Sequence, residues 1–297
     1  MQIALKVDVD TRVGLECGVP RLQQLLGERG IPATFFITFG PDHSGRALRR
    51  LFRPGFLAKM WRTRAVRMYG FQTLLYGTLL PAPLIGSAFP ELLRSLARHG
   101  HEVGLHAWDH VYWHDRLPGL SEEAVRAEFR RGVEAYARVF GHPPASSAAP
   151  GWTCTAHSLA VQDEFHLAYC SDARGWTPFR PAIGGRVYRT PQIPTTLPTL
   201  DELLGAPELG QGDPVDCLLA RLEESRLNVF TLHAEAEGRG YAGFFADFLT
   251  ALQERGATFR RLDEVASELA DLPCHELQRG TLPGRAGWVA LQGERLA

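Results

Sequence analysis

The chain opens on an apolar run over residues 3–7 (IALKV) that ends in Asp8-Val9-Asp10-Thr11. The same order recurs along its length: a short run of buried-strand composition, a polar residue at its end, then a stretch with helical spacing. Strands are predicted over 3–7, 33–39, 102–105, 145–149, 167–170, around 187–188, and over 227–232 and 258–260. Helices are predicted over 20–28, 91–98, 121–140, 155–165, 244–254 and 263–269, with short ones near Leu200 and Cys217. The signals are densest at 121–140, where Ser121 stands as N-cap, Glu122 and Glu123 occupy the first turn, and Gly141 follows the last. Strands alternating with helices, and no glycine-rich nucleotide fingerprint or phosphate loop after the first strand, predict an α/β fold built as a distorted (β/α) barrel. That barrel domain is expected over residues 1–272, with an insertion at 41–89, and the Gly-rich stretch 273–297 reads as a patternless extension.

Inside the insertion the alternation breaks. Arg46, Arg49, Arg50, Arg53, Lys59, Arg62, Arg64 and Arg67 are interleaved with Phe56, Trp61, Tyr69 and several aliphatic residues, and no acid occurs from His43 to Pro90. This is the composition of a basic, interface-seeking segment, with solvated arginines packed on the parent domain as the plainer alternative. The run over 71–89 is uncharged, but Gly77, Pro81, Pro83 and Gly86 interrupt it, so lying on a membrane is expected rather than crossing one. Arg49, Arg50, Phe56, Trp61, Arg62 and Arg67 are the expected membrane-binding residues, and an anionic membrane surface the expected partner.

Composition narrows the class further. Five cysteines, odd in number and without paired CxxC spacing, argue against a disulfide framework and a cysteine-based zinc site. No basic-then-apolar leader precedes the first strand, so a cytoplasmic protein is expected, peripheral to the inner face of a bacterial inner membrane. The formal net charge of −1 hides the local asymmetry of the insertion, and neither a nucleic acid nor an obligate protein partner is expected.

The candidate chemistry sits at strand ends. Asp8 and Asp10 are two apart and share a side if the strand persists, so one can bind a cation while the other stays free as a base; helix or turn capping is the structural alternative. His106 and His110, four apart beyond the 102–105 strand, converge on one ion if the chain winds into a turn there, and His114 extends the ladder to a rival pair. Asp172 and His233 likewise follow strands, and in a (β/α) barrel such ends share the face on which active sites are built.

Taken together, these segments resemble the polysaccharide deacetylase family (carbohydrate esterase family four), whose members use a distorted barrel and a divalent ion to hydrolyse N-acyl groups on sugars. Asp8-Val9-Asp10 resembles its first motif, His106-Ala107-Trp108-Asp109-His110 the second, Ala149-Pro150-Gly151-Trp152 stands in place of the third, Asp172 and Trp176 resemble the fourth, and Leu232-His233 the fifth. The resemblance implies Asp8 as catalytic base, Asp10, His106 and His110 as metal ligands, and His233 as catalytic acid, held charged by Asp172. The backbone N–H of Gly151 or Trp152 would stabilise the oxyanion. The ion implied is zinc, with cobalt or manganese as alternatives. At the third motif the family has an arginine that orients the base, whereas this chain has Ala148, and Arg174 is the expected substitute. Within the family the segments VDVDT, EVGLHAWDH, SDARG, PFRP, QIPTTLPT and TLHAE are similar to members that deformylate an undecaprenyl-phosphate-linked formamido-arabinose, a step in modifying lipid A. The alternatives are a polysaccharide or peptidoglycan N-deacetylase and a non-catalytic glycolipid-binding member of the fold.

Overall fold

Strand β1 (Gln2–Val9) shows how the sequence builds the molecule. Successive side chains of a strand point to opposite faces. Ile3, Leu5, Val7 and Val9 therefore join the outer core, which they share with helix α1 (Val19–Gly27) through Leu22, Leu25 and Leu26. Ala4 faces the other way, into a separate apolar cluster with Phe36, Ala148, Tyr169, Ile193 and Val229 that fills the centre of the barrel. Lys6 and Asp8 continue that inward row and are buried although charged.

The computed structural model describes residues 1–46, 73–205, 212–285 and 287–296. The expected membrane-binding residues Arg49, Arg50, Phe56, Trp61, Arg62 and Arg67 lie outside the described residues. The remaining strands of the main sheet are β2 (Thr34–Thr38), β3 (Glu102–Ala107), β4 (Ser146–Ser147), β5 (Tyr169–Cys170), β8 (Leu227–His233) and β9 (Thr258–Arg260). They run in the order β5-β4-β3-β2-β1-β8, with β9 paired to the start of β1, and every pairing is parallel. Helices α2 (Pro90–Arg98), α3 (His110–Arg116), α4 (Glu122–Phe140) and α5 (Ala156–Glu164) connect the strands on the α4 side of the barrel. In α4 the Ser121 hydroxyl accepts from the Ala124 N–H and Gly141 takes a left-handed φ of 81°, as the sequence predicts.

Among the described residues no regular strand joins β5 to β8. Instead the Pro-rich segment 191–197 bridges them: Ile193 N donates to Cys170 O at 2.8 Å, Thr195 N to Ala173 O at 3.0 Å and Thr196 N to Val229 O at 3.1 Å. Prolines tolerate this role because only some of their neighbours need to donate. The fold is thus an α/β half-barrel of parallel strands with a non-strand seam, matching the expected class.

The extension expected to be patternless is ordered. Strands β10 (Cys274–Gly280) and β11 (Val289–Arg295) pair antiparallel, and β10 runs parallel to β6 (Arg180–Ile183), which pairs with β7 (Arg186–Val187). Leu277 and Ala290 share a core with Phe179, Tyr188 and Leu159, so this second sheet is stapled to α5 by apolar packing. The chain between β7 and β8 carries α6 (Leu200–Gly205) and α7 (Pro214–Leu219), and α8 (Ala242–Glu254) and α9 (Leu262–Ser267) follow β8.

Candidate active site

Parallel register sets the geometry. Asp8 of β1 is the register partner of His233 of β8, and Lys6 that of Thr231, so base and acid candidates stand side by side at the C-terminal ends of neighbouring strands. Across β2, the alternation of β3 turns His106 inward while Leu105 joins the outer core. His110 is positioned by a helix cap: the Asp109 carboxylate accepts the Tyr112 N–H at 2.9 Å, which starts α3 at His110 and aims its ring back over His106, with ring centroids 5.3 Å apart. Asp109 is itself fixed by His43 Nδ1 at 2.6 Å and by its own N–H, which donates to Glu128 at 3.0 Å.

Asp10, His106 and His110 come together, each offering one ligand atom within 4.8 Å of the others. His106 Nε2 lies 3.1 Å from Asp10 Oδ1, and His110 Nε2 lies 3.4 Å from Asp10 Oδ2. Two donors each about 2.0–2.2 Å from one ion, at tetrahedral or octahedral angles, are roughly 3.0–3.5 Å apart, so the spacing fits a divalent cation. The donor set of one carboxylate and two imidazoles suits the same class of ion, and buried Asp10 Oδ1 faces the His106 ring with no other hydrogen-bond donor among the described residues. Burial alone would raise the Asp10 pKa; His110, His106 and His233 outweigh it and hold the carboxyl below the usual range. His114 points elsewhere, its ring lying against the Gly151 turn.

That turn requires its glycine. Gly151 has φ of 63°, and a Cβ there would fall 2.3 Å from His114 Cδ2. Trp152 also takes a positive φ, of 52°, and its N–H donates within the turn to Ala149 O at 3.2 Å. The expectation that Trp152 supplies an oxyanion donor is therefore corrected, and Gly151 N–H remains the candidate. The Trp152 indole instead forms a wall, edge-on to the His233 ring at 6.5 Å.

Two further roles are corrected. Asp172 does not orient His233: its carboxylate accepts from Ala149 N and Gln162 Nε2 at 2.7 Å each, and from Gln192 Nε2 at 3.2 Å. Burial pulls the His233 pKa down, but the fields of Asp10, Asp201, Asp8 and Glu237 raise it above the ordinary value of 6.5. Arg174 does not reach the base either, because its Nη1 donates to buried Glu202 at 2.6 Å and its Nη2 to Leu197 O at 2.8 Å.

The cation beside the base is Lys6, a residue the sequence reading passed over. Its Nζ lies 3.2 Å from Asp8 Oδ2 and donates to Ser171 O at 3.2 Å, above the Trp152 ring. Burial lowers the Lys6 pKa, and Asp8 and Asp172 on either side oppose that shift. The signal was available: a lysine two residues before Asp8 in a wholly apolar strand must share the inward face with it. Glu235, also unassigned from sequence, accepts the N–H groups of Asp10 and Thr11 at 3.0 and 2.7 Å and so fixes the turn that presents Asp10. Burial, reinforced by Asp10, pushes its pKa up to about 8.

A parallel half-barrel with an Asp-His-His cluster and a paired carboxylate and imidazole at its strand ends defines a hydrolase-type α/β site, and residues 2–170 match the polysaccharide deacetylase family. The chain belongs to that family. It is 36% identical over 296 residues, 99% of this chain and 96% of the relative, to the probable 4-deoxy-4-formamido-L-arabinose-phosphoundecaprenol deformylase ArnD of Shewanella sediminis. It is 34% identical to the protein of the same name from Wigglesworthia glossinidia brevipalpis, over 94% of this chain and 98% of the relative. Among solved structures, a Mycobacterium smegmatis protein assigned to the polysaccharide deacetylases superposes with a TM-score of 0.59 at 21% identity, covering 90% of this chain and 88% of that one.

Proposed function

We propose that this protein is a metal-dependent amide hydrolase that removes the formyl group from undecaprenyl-phosphate-linked 4-deoxy-4-formamido-L-arabinose, a step in aminoarabinose modification of lipid A. The observation that carries the chemistry is the cluster of Asp10, His106 and His110 next to the register pair Asp8 and His233. The near-full-length identity to the two ArnD proteins supports the substrate.

Asp10, His106 and His110 would hold the ion, zinc by donor set with cobalt or manganese as alternatives. A divalent ion there supplies Lewis acidity, acidifying water and polarising the formyl carbonyl. Asp8 is held at Oδ2 by Lys6, while its Oδ1 is buried and receives no hydrogen bond among the described residues, so Oδ1 is the atom that takes the proton from the attacking water. Gly151 N–H donates to the carbonyl oxygen as charge develops on it. His233, whose protonated form the surrounding carboxylates favour, gives its proton to the sugar nitrogen as the C–N bond breaks, and formate and the free amine leave. Lys6 is a positioning residue in this scheme. Lys6→Met is expected to keep metal content near wild type and lower kcat about 100-fold with little change in KM, because small misplacements of a base cost that much; a wild-type kcat would return Lys6 to a structural role.

Formate release from a synthetic polyprenyl-phospho-formamidoarabinose, run beside the acetamido analogue, tests the substrate. The formamido compound is expected to turn over and the acetamido one more slowly; turnover of the acetamido sugar alone would favour an N-deacetylase.

The enzyme reaches such a substrate at the bilayer. No helix among the described residues is long and apolar enough to cross a membrane. Leu79, Leu80 and Leu84 are nevertheless 81%, 38% and 44% exposed, on a segment tied to the loop after β2, on the active-site face, by the bond from Asp42 N to Pro83 O. Together with the arginines of the insertion they suit a peripheral hold on an anionic leaflet, the cytoplasmic one in this reading. Replacing all three leucines by aspartate is expected to reduce sedimentation with anionic liposomes at least about tenfold, since each inserted leucine contributes up to roughly 1.5–3 kcal/mol. Unchanged sedimentation would exclude this segment from docking.

A further inference from the structure

Arg285 lies in the connection between β10 and β11, the hairpin that the sequence left without an assignment. Its guanidinium carbon is 4.5 Å above the Trp152 ring, and that of Arg174 is 5.0 Å from the same ring. Both cations face Glu202, but its carboxylate is already engaged. Arg174 donates to Oε1 at 2.6 Å and the Thr199 N–H to Oε2 at 3.1 Å, while Arg285 Nη1 stays 3.9 Å from Oε1. Arg285 Nε is buried and has no hydrogen-bond partner among the described residues.

The Nη2 end of the remaining edge of this guanidinium adjoins the site. A Cβ on Gly151 would lie 3.2 Å from Arg285 Nη2 and 2.8 Å from His114 Nε2, so Nη2 adjoins the turn that carries the oxyanion candidate. Burial lowers the Arg285 pKa, Asp201 and Glu202 oppose the shift, and the charge of Asp10 also reaches it. Nε and Nη2 form the edge of a guanidinium that donates two parallel hydrogen bonds to one oxyanion. A desolvated cation with that edge under-used is a binding element for an anion, and its contact with the Trp152 ring holds it in place.

We propose that Arg285 grips the phosphate of the substrate through its Nε–Nη2 edge, one sugar ring away from the amide held at Asp10, His106 and His110. This rests on the deformylase reading, in which the sugar carries a phosphodiester. The C-terminal hairpin is then part of the substrate site: it brings to the barrel mouth a second cation beside Lys6 of β1, whose own charge is paired with Asp8.

The test compares Arg285→Ala and Arg285→Lys with wild type on two substrates, a short-prenyl phosphodiester of the formamido sugar and its neutral methyl glycoside. Farnesyl phosphate is titrated into each protein by calorimetry. A charged hydrogen-bond pair predicts a loss in kcat/KM of about 10- to 100-fold on the phosphodiester for Arg285→Ala, mostly in KM, and a loss below about threefold on the glycoside. Arg285→Lys falls between, because a point charge lacks the fork. Farnesyl phosphate affinity drops in the same order. Equal losses on both substrates, or farnesyl phosphate binding that is the same in Arg285→Lys and wild type, would overturn the assignment and leave Arg285 as a support for Trp152. Should wild type release formate from neither substrate, the deformylase reading fails, and the calorimetry still decides whether Arg285 holds phosphate.

Discussion

Asp8→Asn is expected to leave the protein folded and able to bind metal while formate release falls about 10²- to 10⁴-fold, the range typical of a lost general base. An amide oxygen cannot take a proton from water near neutral pH, so the loss appears in kcat. The substitution also parts a buried pair, since Lys6 Nζ lies 3.2 Å from Asp8 Oδ2. Breaking a buried ion pair from one side typically costs about 3–5 kcal/mol, but here Asp172 still flanks Lys6 and the lysine pKa is already lowered by burial, so the penalty should fall below that range. His233→Ala should lose turnover on the same scale and also change the pH profile. A histidine whose pKa is raised keeps its proton to higher pH than a free imidazole does, and activity declines as pH rises through that pKa. Removing the ring should abolish that alkaline limb. Losses below about tenfold in either variant, or an unchanged limb in His233→Ala, would remove these residues from the proton transfers.

Alanine at Asp10, His106 or His110 is expected to lower metal occupancy about tenfold or more, because a site with three protein ligands has none to spare. His114→Ala should retain the metal, since that ring rests on the Gly151 turn instead of facing Asp10. Metal content measured on dialysed proteins separates the two: full occupancy in His110→Ala with loss in His114→Ala would mean that the ion sits one turn further along α3.

Much of this site was legible because strand periodicity is strict. Asp8 closes the inward row of β1, Asp10 follows in the turn just past Val9, and the step from His106 to His110 crosses one capped turn, so local geometry brings each pair close. The long helix was equally plain, since Ser121 and Gly141 mark its ends chemically. Lys6 was hidden by the apolar company it keeps: one lysine in IALKV reads as an interruption of a strand, when inward alternation makes it the partner of Asp8. Asp172 and His233 both end strands on the same face, yet the seam segment runs between β5 and β8, and its Gln192 takes up the Asp172 carboxylate. No local pattern reveals such an intervening segment. The C-terminal hairpin escaped for a similar reason. In β10 only His275 and Leu277 are buried, and its pairing partner β6 lies about a hundred positions earlier, so its stability comes from tertiary contacts that neither alternation nor turn chemistry reports.

The central claim is that one divalent ion at Asp10, His106 and His110 and the proton donor and acceptor beside it hydrolyse a lipid-linked formamide. Its most direct test is to strip the purified protein with a chelator, titrate zinc, cobalt or manganese back, and follow formate release from polyprenyl-phospho-formamidoarabinose at each addition. The account predicts no turnover in the stripped protein, activity rising linearly to a plateau at one ion per chain, and no recovery in Asp10→Ala. Turnover that persists in excess chelator, or a plateau reached equally by Asp10→Ala, would contradict it.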